Sequence, residues 1–384
     1  MEFRDLKSQY QRYKQEIDSS IQGVIDSGSF IGGGVVEELE ELLAEYVGVD
    51  HCISCANGTE AMALVLMAWG VEKGDAVFVP DFTFFSTGEV VSFRGATPIF
   101  IDVNRDTFNI DVSKLEDAIK KTIEEGKLRA RAIIPVDLFG LPANHYEIDA
   151  LSKKYNLLVL EDGAQGFGGS INGKKACSFG NAATTSFFPA KPLGCYGDGG
   201  AIFTNDSSLA EALKSLRVHG KGKSKYDNIQ VGVNSRLDTI QASILKVKLK
   251  AFVEHELENV NLISRFYNEQ LRSVVDIPVI PEGYYSSFAQ YTIKLGSKEE
   301  RDGLQRHLRG NGIPSMVYYQ KGLHSQAAFS HLKNMNFDYS VSNKLTETVL
   351  SLPMHPYLSK EEVDKVCSSI KEYLASVSNI AQFN

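Results

Sequence analysis

The stretch Ser186-Phe-Phe-Pro-Ala-Lys191-Pro-Leu-Gly-Cys-Tyr-Gly-Asp-Gly-Gly200 places a lysine between an apolar run and a glycine-rich turn. A second apolar run, Leu157-Leu-Val-Leu-Glu-Asp162, ends on a carboxylate twenty-nine positions earlier. Both runs have the length and composition of buried strands, so the amine of Lys191 and the carboxylate of Asp162 are expected at strand ends. Further strands are expected at 51–55, 76–80, 97–102, 131–136 and 200–204, several of them continuous apolar runs suited to parallel strands covered on both faces. Helices are expected over 12–26, 35–47, 60–70 and 112–124. The alternation is that of an α/β layered fold, in which ligands bind at the carboxyl ends of the strands. The two closely spaced runs at 183–188 and 200–204 are expected to form a hairpin, giving the sheet one antiparallel strand.

A lysine and an acid brought to one sheet edge from separate strands are what a pyridoxal phosphate enzyme requires. The lysine joins the cofactor covalently, and the acid keeps the pyridine nitrogen protonated. The alternative is two unrelated charges on sheet-edge loops. Upstream, Ser54-Cys-Ala-Asn-Gly58-Thr59-Glu-Ala reads as a strand, a small-residue turn and the start of an apolar helix. Free N–H groups at such a start suit a phosphate.

Composition narrows the class. With 384 residues, 43% of them hydrophobic, the chain can bury a large core and is expected to form two domains, 1–250 and 251–384. A net charge of −8 speaks against nucleic-acid binding, which needs a concentrated basic face. The one basic cluster, His219-Gly-Lys221-Gly-Lys223-Ser-Lys225, reads as a loop that either reaches substrate phosphates or is simply solvated. The charged start Met1-Glu-Phe-Arg-Asp-Leu-Lys-Ser has no apolar signal core, and no apolar run suffices to span a bilayer, so a cytoplasmic protein is expected. Cys52-Ile-Ser-Cys55 has metal-pair spacing but no second pair follows, so buried thiols are expected and no metal. Gly168-Gly-Ser-Ile-Asn-Gly173-Lys-Lys175 has phosphate-loop spacing but lacks the Ser/Thr and the helix that such a loop needs.

Residues 236–274 read as largely helical, leading to a mixed α+β remainder with strands at 289–295 and 315–319 and helices at 298–310 and 360–375.

Taken with Asp162-Gly-Ala-Gln165, Ser186-Phe-Phe, Phe82-Thr-Phe-Phe-Ser-Thr87 and Ser351-Leu-Pro-Met-His-Pro356, the chain resembles the DegT/DnrJ/EryC1/StrS family over nearly its whole length. These are sugar-nucleotide aminotransferases of the aspartate aminotransferase fold (fold type I). The resemblance implies a seven-stranded, mostly parallel large domain, a smaller α+β domain, and pyridoxal 5'-phosphate as cofactor. Lys191 would carry the cofactor and shuttle a proton, and Asp162 would pair with the pyridine nitrogen. Gln165 would bond the phenolic oxygen, Phe84 would stack on the ring, and Ser186, Gly58 and Thr59 would hold the phosphate. Asn234 would reach the phosphate of a second copy in a homodimer with shared sites.

Phe30, Arg236, Tyr318 and Tyr319 would face substrate, Tyr318 standing where many relatives carry His. Gly163 stands where the family usually has Ala, a departure read as added flexibility. The lysine segment is most similar to enzymes that aminate carbon 3 of a UDP-2-acetamido-3-keto sugar, or its glucuronic acid form, with L-glutamate as donor, for bacterial surface polysaccharides. The alternatives are a 4-keto-6-deoxy sugar aminotransferase, a sugar dehydratase, or a non-catalytic protein of the same fold.

Overall fold

The computed structural model describes residues 1–224, 226–332 and 337–382, the side chains only as far as 377. Twelve strands occur among them: β1 (His51–Cys55), β2 (Asp75–Pro80), β3 (Thr97–Ile101), β4 (Arg129–Ile133), β5 (Leu158–Asp162), β6 (Ser170–Ile171), β7 (Lys174–Lys175), β8 (Ala182–Ser186), β9 (Gly200–Thr204), β10 (Tyr284–Tyr285), β11 (Tyr291–Lys294) and β12 (Val349–Leu352). Seven form the main sheet in the order β1-β9-β8-β5-β4-β2-β3. β9 is antiparallel to both β8 and β1, and the remaining pairs are parallel. The expected hairpin and single reversed strand are therefore present.

Continuous apolar runs in this sheet reflect cover on both faces. Val77 and Val79 of β2 enter a core with Leu64, Val65 and Val90 from the helices Gly58–Ala68 and Ser86–Phe93. Ala76 and Phe78 point the other way, onto Leu115 and Ile119 of the helix Val112–Glu125. The same pleat separates Cys52 from Cys55, which enter different cores on opposite faces. That placement rules out a shared metal, and all five cysteines are free and buried.

The segment Gly168–Lys175 is a small hairpin, β6 with β7, turning through Asn172 and Gly173 at positive φ. It is not a phosphate loop. The helix expected over 12–26 is Lys14–Ser27, and a further short helix, Leu6–Arg12, precedes it across Tyr13. Lys225 of the basic cluster lies outside the described residues.

Helices Thr239–Ala251 and Leu257–Leu271 are joined by a π-helical turn at Phe252–Glu256. Phe252 packs into the large core with Phe167 and Leu249, whereas Val260 and Tyr267 pack with Tyr291, Leu304, Leu350 and Val366. β11 and β12 form a separate antiparallel pair in this second core. The strand expected at 315–319 does not form. Met316 exchanges both backbone hydrogen bonds with Ser351, and the chain then departs along the cavity wall. No helix among the described residues is long and apolar enough to cross a membrane.

Candidate active site

A cavity of about 1030 Å³ opens at the carboxyl ends of β5 and β8. Asp162, the last residue of β5, enters it only 5% exposed. Its Oδ2 accepts a hydrogen bond from Thr87 Oγ1 at 3.0 Å and its Oδ1 accepts one from the Ala164 N–H at 3.2 Å. Burial pushes the carboxyl above its ordinary pKa, while those donors and the Lys191 charge oppose the rise. A cation bonded here relieves the cost of an unpaired buried carboxylate.

Lys191 lies in the loop from β8 to β9 and lines the same cavity. The loop is tight: Lys191 N donates to Phe188 O at 2.9 Å, and a Cβ on Gly194 would lie within 2.6 Å of the Phe188 and Pro189 carbonyl oxygens. Desolvation lowers the pKa of the amine, Asp162 works against this, and the Arg4 guanidinium adds to it. An amine so placed exchanges protons more readily near neutral pH than a surface lysine does.

The phosphate-sized corner comes from backbone contact. Asn57 caps the helix Gly58–Ala68 by accepting from Glu60 N at 2.8 Å. A Cβ on Gly58 would sit 2.8 Å from Ser186 Cβ, and one on Gly200 would sit 2.5 Å from the Asn57 carbonyl carbon. Glycine at both positions lets the helix start press onto the ends of β8 and β9, so Gly58, Thr59 and Ser186 border one corner. Free N–H groups of the helix start, a serine and a threonine make a donor set suited to a phosphate dianion.

The phenylalanine cluster separates into three roles. Phe82 is fully buried with Phe139, and Phe85 packs on Phe329 at 5.1 Å. Phe84 is 54% exposed and lines the cavity beside Asp162 and Lys191. Gln165 is held at both ends: Oε1 accepts from Phe139 N at 2.8 Å and Nε2 donates to the Tyr319 hydroxyl at 3.1 Å. Tyr318 and Tyr319 line the opposite wall, with Gln320 and Lys321 next to them. Lys321 is exposed and makes no ion pair among the described residues. Gly163 answers a steric need rather than a need for flexibility, because a Cβ there would lie 2.4 Å from Cys177 Sγ.

Phe30, Asn234 and Arg236 do not border this chain's own cavity. Ile31 pairs with Asp238 and the Phe30 carbonyl accepts from Thr239 N, so Phe30 lies beside the 236–239 segment. Phe30, Asn234 and Arg236 are all exposed. Thr87, Arg4 and Lys321 are not marked by the sequence reading. Thr87 lies three places after Phe84, with its N–H bonded to the Phe84 carbonyl, so the position of Phe84 is the signal that leads to it. Arg4 carried no local signal.

The residues fit pyridoxal phosphate: a buried acid awaiting a cation, a lysine, an exposed aromatic face and a donor-rich corner around one cavity. The DegT/DnrJ/EryC1/StrS aminotransferase family matches residues 11–371. The chain is 44% identical to UDP-2-acetamido-2-deoxy-3-oxo-D-glucuronate aminotransferase of Pseudomonas aeruginosa, over 96% of this chain and 99% of that protein. It is 38% identical to UDP-N-acetyl-3-dehydro-alpha-D-glucosamine 3-aminotransferase of Acidithiobacillus ferrooxidans, over 96% and 97%. The crystal structure of a DegT DnrJ EryC1 StrS aminotransferase from Brucella abortus superposes with a TM-score of 0.95 at 48% identity, covering 97% of this chain and 99% of that one. The chain belongs to the DegT/DnrJ/EryC1/StrS aminotransferase family.

Proposed function

We propose that this protein is a pyridoxal-phosphate-dependent aminotransferase that moves an amino group from L-glutamate to carbon 3 of a UDP-2-acetamido-3-keto sugar or its glucuronic acid form. One observation carries the reading: Asp162 and Lys191 meet in a single cavity that ends in the Gly58–Ser186 corner. When bound there, pyridoxal phosphate supplies a ring that accepts the electron pair left by a lost α proton. Asp162 would hold the ring nitrogen protonated, Phe84 would offer an aromatic face to the ring, and Gln165 would offer its amide to the phenolic oxygen. Gly58, Thr59 and Ser186 would hold the phosphate. Lys191 Nζ would carry the cofactor and move a proton to and from the substrate carbon.

Carbon 3 and a UDP-linked acetamido sugar are supported by the substrates named for the two relatives above. Tyr318 and Tyr319 form the wall that such a sugar would meet, and the exposed Lys321 beside them, in no ion pair among the described residues, would suit an anionic substituent. Tyr318 itself carries no positive charge.

The working unit in this proposal is a cytoplasmic homodimer. Asn234 of a second copy completes the phosphate site, and Phe30 and Arg236 meet substrate there, because in their own chain they lie outside the cavity. Two domains, 1–250 and 251–384, belong to this reading, supported by the change of core along the helical run between Phe252 and Val260. The pathway is synthesis of a bacterial surface polysaccharide.

The test is catalytic efficiency on matched 3-keto and 4-keto UDP-N-acetyl sugars with glutamate as donor. A fixed lysine and a shaped pocket favour one carbonyl register, and a misplacement of about 1 Å costs about a hundredfold. Preference for the 4-keto compound would move the chain to a 4-keto branch. No turnover of any keto sugar, with no yellow band formed on adding cofactor, would remove the aminotransferase reading.

A further inference from the structure

The N-terminal segment ties the lysine loop to the C-terminal part of the chain. The Phe3 carbonyl accepts from Met354 N at 3.3 Å, and the Phe3 ring meets the edge of Tyr318 with centroids 6.3 Å apart. Gln9 Nε2 donates to both carboxylate oxygens of Glu256, at 2.8 and 3.0 Å. Between these anchors, Arg4 Nη2 donates to the carbonyl of Lys191 at 2.7 Å and approaches that of Pro192 at 3.5 Å.

We propose that Arg4 is a positioning residue for Lys191. Its guanidinium fixes the lysine's own backbone carbonyl and brings a positive charge near the amine. The proposal rests on Lys191 being the cofactor lysine. A bond to the residue's own carbonyl sets where its Cα stands, and so where Nζ can reach. A guanidinium provides this with a rigid, always-charged donor fork. Its charge also disfavours the ammonium form of Lys191.

Other groups bear on the same amine. Asp162 from β5 acts in the opposite direction. Glu60 from the helix Gly58–Ala68, Asp198 from the lysine's own loop, and Tyr319 and Lys321 from the opposite wall border the cavity. Burial lowers the pKa of Arg4 itself, and Glu256 and Tyr357 oppose that fall. His355 and Lys248 stand near it, both with pKa values lowered chiefly by burial, Lys248 to about 8. Of these cations the Arg4 guanidinium has the highest ordinary pKa.

The experiment uses the full-length apoenzyme with Arg4→Met, Arg4→Gln and Arg4→Lys. The rate at which each captures pyridoxal phosphate is followed by absorbance against pH, because capture needs the uncharged amine. Removing the charge in Arg4→Met should move the midpoint upward by about one pH unit. It should also lower kcat more than it alters KM for glutamate. Arg4→Gln keeps a donor without the charge and should show the same upward shift, which covers the case in which Arg4→Met does not fold. Arg4→Lys should restore the midpoint but only part of kcat, because an ammonium lacks the planar fork.

A midpoint unmoved in both Arg4→Gln and Arg4→Met would overturn the proposal, as would equal shifts in Arg4→Gln and Arg4→Lys. Failure of the wild-type protein to capture the cofactor would instead reject the aminotransferase reading on which the proposal rests.

Discussion

Thr87 and Asp162 are joined by a 3.0 Å hydrogen bond between residues 75 positions apart, the threonine in the first turn of one helix and the acid at the end of β5. Both are buried, and the bond turns Oδ2 to one orientation. Thr87→Val keeps the shape and removes the donor. Hydrogen bonds to charged groups contribute about 1.5–3 kcal/mol, so apoenzyme affinity for pyridoxal phosphate should fall by about tenfold or more. A titration of the variant with cofactor that matches the wild type would show that Thr87 does not orient the acid.

Phe82 and Phe84 should behave oppositely. Phe82 is fully buried, and Phe82→Ala should destabilise the fold by about 3–5 kcal/mol. Phe84 projects into the cavity, so Phe84→Ala should leave the urea midpoint nearly unchanged and weaken cofactor binding by about three- to tenfold. Unaltered affinity in Phe84→Ala would assign ring stacking elsewhere.

Asp137 gives a pH prediction. It is fully buried, with His145 Nε2 at 2.8 Å and the Ala143 N–H at 2.9 Å, and Glu161 beside it. Burial pushes Asp137 from the ordinary 3.8 to about 7, and Glu161 also rises. A carboxyl whose folded pKa is raised costs nothing below the unfolded value, and its full penalty is present above the folded one. Its contribution therefore makes stability fall between about pH 4 and 7. His145 works the other way, since burial lowers its pKa and its cost appears on acidification. The difference between wild type and Asp137→Asn isolates the carboxyl. The variant, which keeps an acceptor for Ala143 N, should be more stable at pH 8 by on the order of 1–3 kcal/mol, with the gain vanishing near pH 4. A gain independent of pH in urea unfolding would refute this.

Shared sites predict complementation. Lys191→Ala protein should lose transamination by about a hundredfold or more, and Asn234→Ala should be impaired. Mixed under subunit exchange, the two should recover part of the activity, because one site of each heterodimer then has both residues. Confirmed exchange without recovery would place Asn234 outside the site.

Local patterns in the sequence determined the seven main strands, the hairpin of β8 with the reversed strand β9, and Asp162 at a strand end, whereas Lys191, expected at one, lies in the loop five residues beyond β8. Each rests on a short apolar run closed by a charge or a glycine turn, and such signals survive without knowledge of distant neighbours. Tertiary structure alone decided the rest. Glu161 and Asp162 are adjacent acids that the pleat must send to opposite faces, and neighbouring chain settles which one meets the cavity: Asp162 faces Lys191, whereas Glu161 accepts from the Cys177 and Phe179 N–H groups. Resemblance singled out Phe84, but its exposure beside the buried Phe82 follows from where β2 ends and the next helix begins. Segment 315–319 has strand composition, yet it pairs only at Met316 because the rest of its backbone follows the cavity wall. Gly163 and Cys177 explain each other only once they are packed together. Arg4 reaches Lys191 across 187 positions of sequence, a contact that no local pattern encodes, because burial and charge pairing depend on which surfaces the completed fold brings together.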